Sequence, residues 1–379
     1  MGEVKRYSIV AVIIALVVGL VAGSVATYLA APAKTMVKTV AGAPTTITTA
    51  VTKTVTITTA VTKTVTITPA AKPPKYTIYY VSHGGPANVW WATVVKGAKA
   101  AADLLGVKVV YLGPEKFSIK ALVDLVEGAI AKKPDALIVT ITSYEALDEP
   151  LRRAIEMGIP VFAVNVADYR PEEERIPYLG YIGQDEVEAG RVFAEAVFRL
   201  FKEKVGRLPK RAVIGIHEPG HVGLEMRAKG IIEKGEALGL PPIEKIDITL
   251  DFSKEVEIFK AYLEKHPDTE LILTLGPQQA YAAMKAIQEK GLRDRVLVGT
   301  FDVDERVVEG IKEGMVLCAI SQQPFAQGFL PVVAAYLYLE YGIQVPVGNI
   351  PLHVRTGPVV ITKDNVAMVL KQIEVTGGA

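Results

Sequence analysis

The sequence predicts an α/β protein of two doubly wound parallel-sheet lobes, preceded by one N-terminal hydrophobic helix and a Thr-rich stalk. Three observations lead there. From Tyr76 onward, short β-rich apolar runs alternate with amphipathic stretches. That alternation occurs in two successive sets. The first 75 residues have a different composition altogether.

The chain opens with an uncharged segment over residues 7–33, of which 9–31 are almost wholly apolar. About 23 such residues suffice to cross a ~30 Å hydrocarbon core as a helix. Lys5 and Arg6 supply a basic flank. Ala31-Pro32-Ala33 passes as a cleavage site, yet the apolar run exceeds the ~7–15 residues of a typical signal core. A retained signal-anchor over 1–33 is therefore expected, with cleavage as the alternative. The lone cysteine, Cys318, rules out an intrachain disulfide and a lipid-modified cysteine after the leader.

Residues 34–75 form the stalk. Residues 46–55 read TITTAVTKTV, and 56–65 repeat them unchanged. Alternating Thr and Val fit a strand pair, but no turn signal separates the copies and large side chains are few. A low-complexity spacer, open to O-glycosylation, is the expectation. Fully extended it reaches about 140 Å at most.

About 300 residues remain, enough for two cores rather than one. The net charge is +1, but the leader is basic and the stalk carries six lysines and no acid, leaving the body net acidic. That is a poor footprint for nucleic acid, which is excluded as a partner. Asn is scarce, at positions 88, 165, 349 and 365 only, and with a single Cys this leans towards a thermophile.

The runs YTIYYVS, VKVVYLG, ALIVTIT and PVFAVN read as buried parallel strands, separated by helices such as 93–105 and 121–131. Gly106 and Gly158 mark helix stops. AVIGIH, IEKIDITL, LILTLG, RVLVGTF and MVLCAIS form the second set. Ligands of such sheets sit beyond the carboxyl ends of the strands. There the chain places His83, Asn88, Trp90 and Trp91, then Thr142, Ser143, Asn165, Gln184 and Asp185. The second set adds His217, Glu218, His221, Asp251, Phe252, Gly276, Asp302, Gln322 and Gln323. Planar amides and carboxylates match vicinal hydroxyls, and an aromatic face covers the C–H side of a sugar ring. Each residue also has a plainer use: the tryptophans as helix packing, Asn in turns, Arg227 in a surface ion pair, Phe252 in a core, Asp302 as a cap.

His217-Glu218-Pro219-Gly220-His221 satisfies the HExxH string of zinc peptidases. That chemistry needs both histidines on one helical face, and Pro-Gly breaks the helix. A strand-to-helix loop is expected instead, with His221 near a helix N-terminus. No phosphate loop, dinucleotide fingerprint or GxSxG elbow is present. Neither catalytic residues, a cofactor nor a metal is expected.

The body, about residues 76–370, resembles the type I periplasmic binding proteins, specifically the ribose-binding-like sugar receptors of ABC importers. The landmarks are VSHGGPANVWW, KKPDALIVT, GIPVFAVN, YIGQDEVEAG, RAKGI, HPDTELILTLG, VGTFD and ISQQPFAQG. HGxP, HEPG, TLGP and QQPxxQG are its branch signatures. The resemblance implies two similar lobes, 76–183 plus 323–355 and 184–322 plus 356–379. Three crossings join them, after Ile182, after Ser321 and around Arg355 to Pro358. It implies ligand contacts at Asn88, Trp90, Trp91, Asn165, Arg227, Phe252, Asp302 and Gln322, with His83, Gln184, His221 and Gln278 as further candidates. Gly276 stands where the family has an asparagine and Asn165 where it has an acid, changes that point away from ribose itself. The function implied is capture of a sugar or polyol by a monomeric extracytoplasmic body, held at the membrane by its N-terminal helix and delivering to an ABC permease. The alternatives are a sensory receptor for a furanone-type signal or nucleoside, and a zinc hydrolase built on HEPGH.

Overall fold

The computed structural model describes residues 73–343 and 352–376. The expected anchor over 1–33 and the stalk up to residue 72 lie outside the described residues. Among those described, no helix is long and apolar enough to cross a membrane.

The body begins with strand and helix in strict alternation: β1 (Thr77–Val81), α1 (Val89–Leu105), β2 (Lys108–Leu112), α2 (Ile119–Ala131), β3 (Ala136–Val139), α3 (Tyr144–Glu156) and β4 (Val161–Asn165). β5 (Gly180–Gly183) follows without a helix, and α4 (Glu186–Val205) leads to the second set. That set runs β6 (Ala212–Ile216), α5 (Val222–Ala237), β7 (Glu244–Asp247), α6 (Phe252–Lys265), β8 (Leu271–Thr274), α7 (Pro277–Glu289), β9 (Leu297–Phe301), α8 (Glu305–Glu313) and β10 (Val316–Ser321). The chain closes with α9 (Pro324–Tyr341), β11 (Leu352–Arg355), β12 (Val359–Ile361) and α10 (Val366–Thr376).

Local chemistry explains these boundaries. Side chains of Ser118, Ser143, Asp185 and Asp304 cap the helices that follow them, and Gly106 and Gly314 end helices in the left-handed conformation. β3 and β4 are buried along their whole length, as strands covered on both faces must be.

The strands form two sheets. The first runs β11-β5-β4-β3-β1-β2, with every neighbouring pair parallel. The second runs β12-β10-β9-β8-β6-β7 and is parallel except for β12, which lies antiparallel to β10. That edge departs from an all-parallel expectation: the chain enters it directly from β11 of the first sheet, across three residues, and runs antiparallel to β10. β5, β11 and β12 are also absent from the strand runs read in the sequence; they are short, and glycine brackets β5.

Apolar clusters cover both faces of the second sheet. Val213, Ile272 and Val298 belong to one, and Ile214, Leu273 and Leu297 to the other. In the first sheet, Val81, Leu137, Val139 and Val161 join side chains of α2 and α3. The chain leaves the first sheet after β5, returns after β10 when α9 packs on α1, and leaves again after β11.

Each lobe contains one helix pair packed at very short range. α9 lies on α1 so closely that a Cβ on Gly328 would meet the Val94 carbonyl oxygen at 1.9 Å. α5 lies on α4 in the same manner, and a Cβ on Gly230 would meet the Val187 oxygen at 2.0 Å. The second contact matters for the site, because Glu186 begins α4 and Arg227 lies on α5. Gly230→Ala must push the helices apart, and it is expected to cost about 1–3 kcal/mol of stability. A urea midpoint equal to that of the unsubstituted chain would refute this close packing.

Candidate functional site

Strand ends from both sheets converge on one buried polar network. β4 ends on Asn165 and β9 is followed by Asp302, each left-handed at φ +62° and +65°. Asn and Asp tolerate that conformation better than other L-residues, and both side chains are more than nine-tenths buried.

At the centre is Arg227, 4 % exposed. It donates to both carboxylate oxygens of Glu186, Nε to Oε2 at 2.5 Å and Nη2 to Oε1 at 2.9 Å. Nη2 also donates to Gln322 Oε1 at 2.8 Å, and the guanidinium stands 4.9 Å from the centre of the Phe301 ring. This orients the Gln322 amide. Its oxygen faces the cation, so its Nε2 turns to Asp302 Oδ1 at 2.7 Å. Trp90 Nε1 donates to that same oxygen at 2.9 Å, joining α1 to the second sheet. Asn165 Nδ2 donates to Gln327 Oε1 at 3.0 Å, and Gln184 Nε2 to Glu186 at 2.8 Å and Gln322 at 3.3 Å.

Burial opposes the charge on Arg227, but the Glu186 carboxylate outweighs it and holds the pKa above its ordinary value. Asp302 is pushed up by burial to about 6, with Arg227 and the Gln322 and Trp90 hydrogen bonds acting against the rise.

A second cluster lies beside the first. His83, after β1, and His221, which caps α5, meet across the lobes with Nε2 atoms 3.2 Å apart. Val222 N–H donates to the Thr142 carbonyl at 3.1 Å, a backbone bond between the lobes. His221 Nδ1 accepts from Leu224 N–H, so its Nε2 carries the proton. That proton points to His83 Nε2, and His83 Nδ1–H then donates to Thr140 Oγ1 at 3.1 Å. Burial, with Arg227 adding to it, holds His83 and His217 down at about 3 and His221 well below the usual imidazole range. Burial pushes the Glu218 carboxyl up to about 7. His83, Glu218 and His221 each bring one atom that could ligate a metal within 4.8 Å of the others.

The structure therefore brings together Trp90, Asn165, Gln184, Arg227, Asp302 and Gln322 in one network, and His83, Trp91 and His221 in a neighbouring one. Trp91 is buried with its ring edge-on to His83 at 4.7 Å, the packing member of the tryptophan pair. Three positions stand apart. Asn88 is exposed and its Oδ1 caps α1 through Trp90 N and Trp91 N. Phe252 packs on the core of the second lobe beneath Lys285. Gln278 Nε2 donates to the Leu250 carbonyl at 3.3 Å. Sequence reasoning missed Glu186, which follows the cap Asp185 and reads as an ordinary acid of a first helical turn. It missed Gln327 too, although that residue lies in the landmark ISQQPFAQG.

Two lobes of like topology, with polar strand ends facing one another, invite comparison with known proteins. Residues 78–343 match the periplasmic binding protein domain. The chain belongs to that family. The xylose/arabinose-binding protein XylF of Sulfolobus acidocaldarius is 28 % identical over 305 residues, 77 % of this chain and 72 % of that protein. A carbohydrate transporter from Acidothermus cellulolyticus, solved in complex with myo-inositol, is 29 % identical with a TM-score of 0.71 and covers 80 % of this chain and 99 % of its own. A periplasmic sugar-binding protein from Legionella pneumophila is 28 % identical with a TM-score of 0.68, covering 75 % and 100 %. The family and these relatives are binding proteins, not enzymes, and periplasmic binding proteins work outside the cytoplasm.

Asp302 makes the folded state pH-dependent. Its folded value of about 6 lies above the ordinary 3.8, so the folded chain favours the neutral acid. That contribution is full below the ordinary value and is lost as pH rises through about 6. Asp302→Asn keeps an oxygen acceptor but no charge. Relative to the unsubstituted chain, it is expected to gain about 2 kcal/mol between about pH 4 and neutrality. Equal pH–stability curves for the two proteins, from urea titrations, would contradict the assignment.

Proposed function

We propose that this chain is the extracytoplasmic solute-binding protein of an ABC importer, closing two hinged lobes on a sugar or polyol and delivering it to the permease. The lobes are residues 76–183 plus 323–355 and 184–322 plus 356–379, with the three inter-sheet passages as hinge. The observation that carries the reading is the convergence on Gln322. This amide sits in a passage between the sheets and bonds Asp302 and Arg227 of one lobe, while Asn165 Nδ2 of the other stands 3.5 Å from its oxygen. A closing cleft needs such groups, because each then meets the solute and the opposite lobe together.

Asp302, Gln322, Arg227 and Asn165 address the hydroxyls, and Trp90 presents its ring. Both protein hydrogen bonds to Asp302 fall on Oδ1, leaving Oδ2 for a ligand hydroxyl. Gln184, His83, His221 and Trp91 support the cleft wall. Asn88, Phe252 and Gln278 act from behind it, through the cap, the core and the Leu250 loop. The buried Thr142 hydroxyl and His217 Nδ1 have no protein partner and add unused hydrogen-bonding capacity near the inter-lobe contact. The sugar and polyol names borne by the relatives support this substrate class. Residues 1–33 tether a monomeric body, and 34–75 let it swing towards solute.

A thermal-shift screen of the protein against pentoses, hexoses and polyols tests the reading, since a ligand stabilises the state it binds. At least one member is expected to raise the melting temperature, and no shift from any of them would sink the assignment. For the ligand so found, Asp302→Ala is expected to weaken calorimetric affinity at least about ten-fold, the scale of a lost charged hydrogen bond. Unchanged affinity in a folded variant removes Asp302 from the site.

A further inference from the structure

The sugar-binding reading uses the HEPGH segment only as part of the cleft wall, and the segment's geometry is unlike that of a zinc peptidase. His217 follows β6, Gly220 turns at φ +84°, and His221 caps α5, so the two histidines share no helical face. His221 instead meets His83 of the other lobe. Glu218 Oε2 lies 3.9 Å from His221 Nε2, and one ligand atom from each of His83, Glu218 and His221 falls within 4.8 Å of the others.

The histidine separation fits two ligands of one ion as well as it fits the direct hydrogen bond. With metal–nitrogen bonds of ~2.0–2.1 Å, two imidazoles on a tetrahedral ion stand about 3.3 Å apart. The observed separation is 3.2 Å. His83 Nδ1 bonds Thr140 Oγ1, the kind of outer partner that orients a ligating ring through its other nitrogen. His83 and His221 are 7 % and 2 % exposed, and the Phe117 ring lies 5.9 Å and 5.5 Å from theirs. Two imidazoles and one carboxylate are the donor set of borderline divalent ions.

We propose that His83, Glu218 and His221 form a site for a divalent transition-metal ion of the zinc type, a clasp that bridges the two lobes and is complete only when they are closed. Ligation through His221 Nε2 moves that ring's proton to Nδ1. The cap then gives up its 3.3 Å bond from Leu224 N–H, which keeps the His221 carbonyl at 3.0 Å. Three protein ligands leave a coordination position open for water or a solute oxygen. An ion bound only by the closed form favours that form, whatever solute the cleft takes.

The test uses untagged full-length protein, stripped with a chelator and titrated with Zn²⁺ by calorimetry and with Co²⁺ by visible absorption. One ion per chain is expected, with the intense visible bands of four-coordinate Co²⁺. Glu218→Gln and His221→Asn are expected to weaken binding by at least the ~10–100-fold that loss of an outer partner causes. Asn at 221 retains a side chain that caps helices well, so that variant keeps its fold. His83→Gln is expected to weaken binding equally and to abolish a Zn²⁺-induced fall in the radius of gyration by small-angle scattering. Absence of saturable binding, or variants that bind like the unsubstituted chain, overturns the site. Binding that depends on Glu218 and His221 but not on His83 overturns the clasp.

Discussion

A guanidinium buried between two sheets is the constraint on which the rest of this molecule turns. Arg227 has almost no contact with water, and an unpaired charge there would cost several kcal/mol. Glu186 answers it with two hydrogen bonds, which obliges α4 and α5 to approach closely enough that only glycine fits at Gly190 and Gly230. The remaining donor capacity of Arg227 turns Gln322, and Gln322 in turn holds Asp302. A single charge thus links helix packing in one lobe to the polar wall of the cleft and to the passage between lobes.

The network also balances the charges it buries. Of the three charged groups, two neutralise each other, and burial brings the third, Asp302, to the edge of its charged range. What remains is a set of directed hydrogen-bonding groups with little net charge. The histidines beside it follow the same rule, since burial keeps them neutral and leaves their tautomers set by a cap and a threonine. Their direct meeting is a cross-lobe contact of different chemistry from the Trp90–Asp302 bond, and both link the lobes.

Much of the candidate site was legible because fold class restricts which residues reach the strand ends. Asn165 and Asp302 terminate buried strands, and Gln322 occupies a passage between sheets, so position alone selects them. Position alone does not fix the direction of a side chain. The resemblance implies ligand contacts at Asn88 and Phe252, and in this structure one caps a helix and the other packs on a core. The failure runs the other way for Glu186 and Gln327, which read as routine helix residues until their partners, 41 and 162 positions away, are in view. His83 and His221 are 138 residues apart, and no local pattern joins them.

The sequence by itself determined the alternation of buried strands and amphipathic helices, hence two parallel-sheet lobes, and the acidic, disulfide-free body. These follow from hydrophobic periodicity, composition and turn chemistry, all of them local in the chain. Only the tertiary structure decided which polar groups share a cavity, which way the Gln322 amide points, and that HEPGH supplies its last histidine to the opposite lobe. Hydrogen bonds and ion pairs act over a few ångströms in space, and the crossings of this chain bring together residues that its sequence keeps far apart.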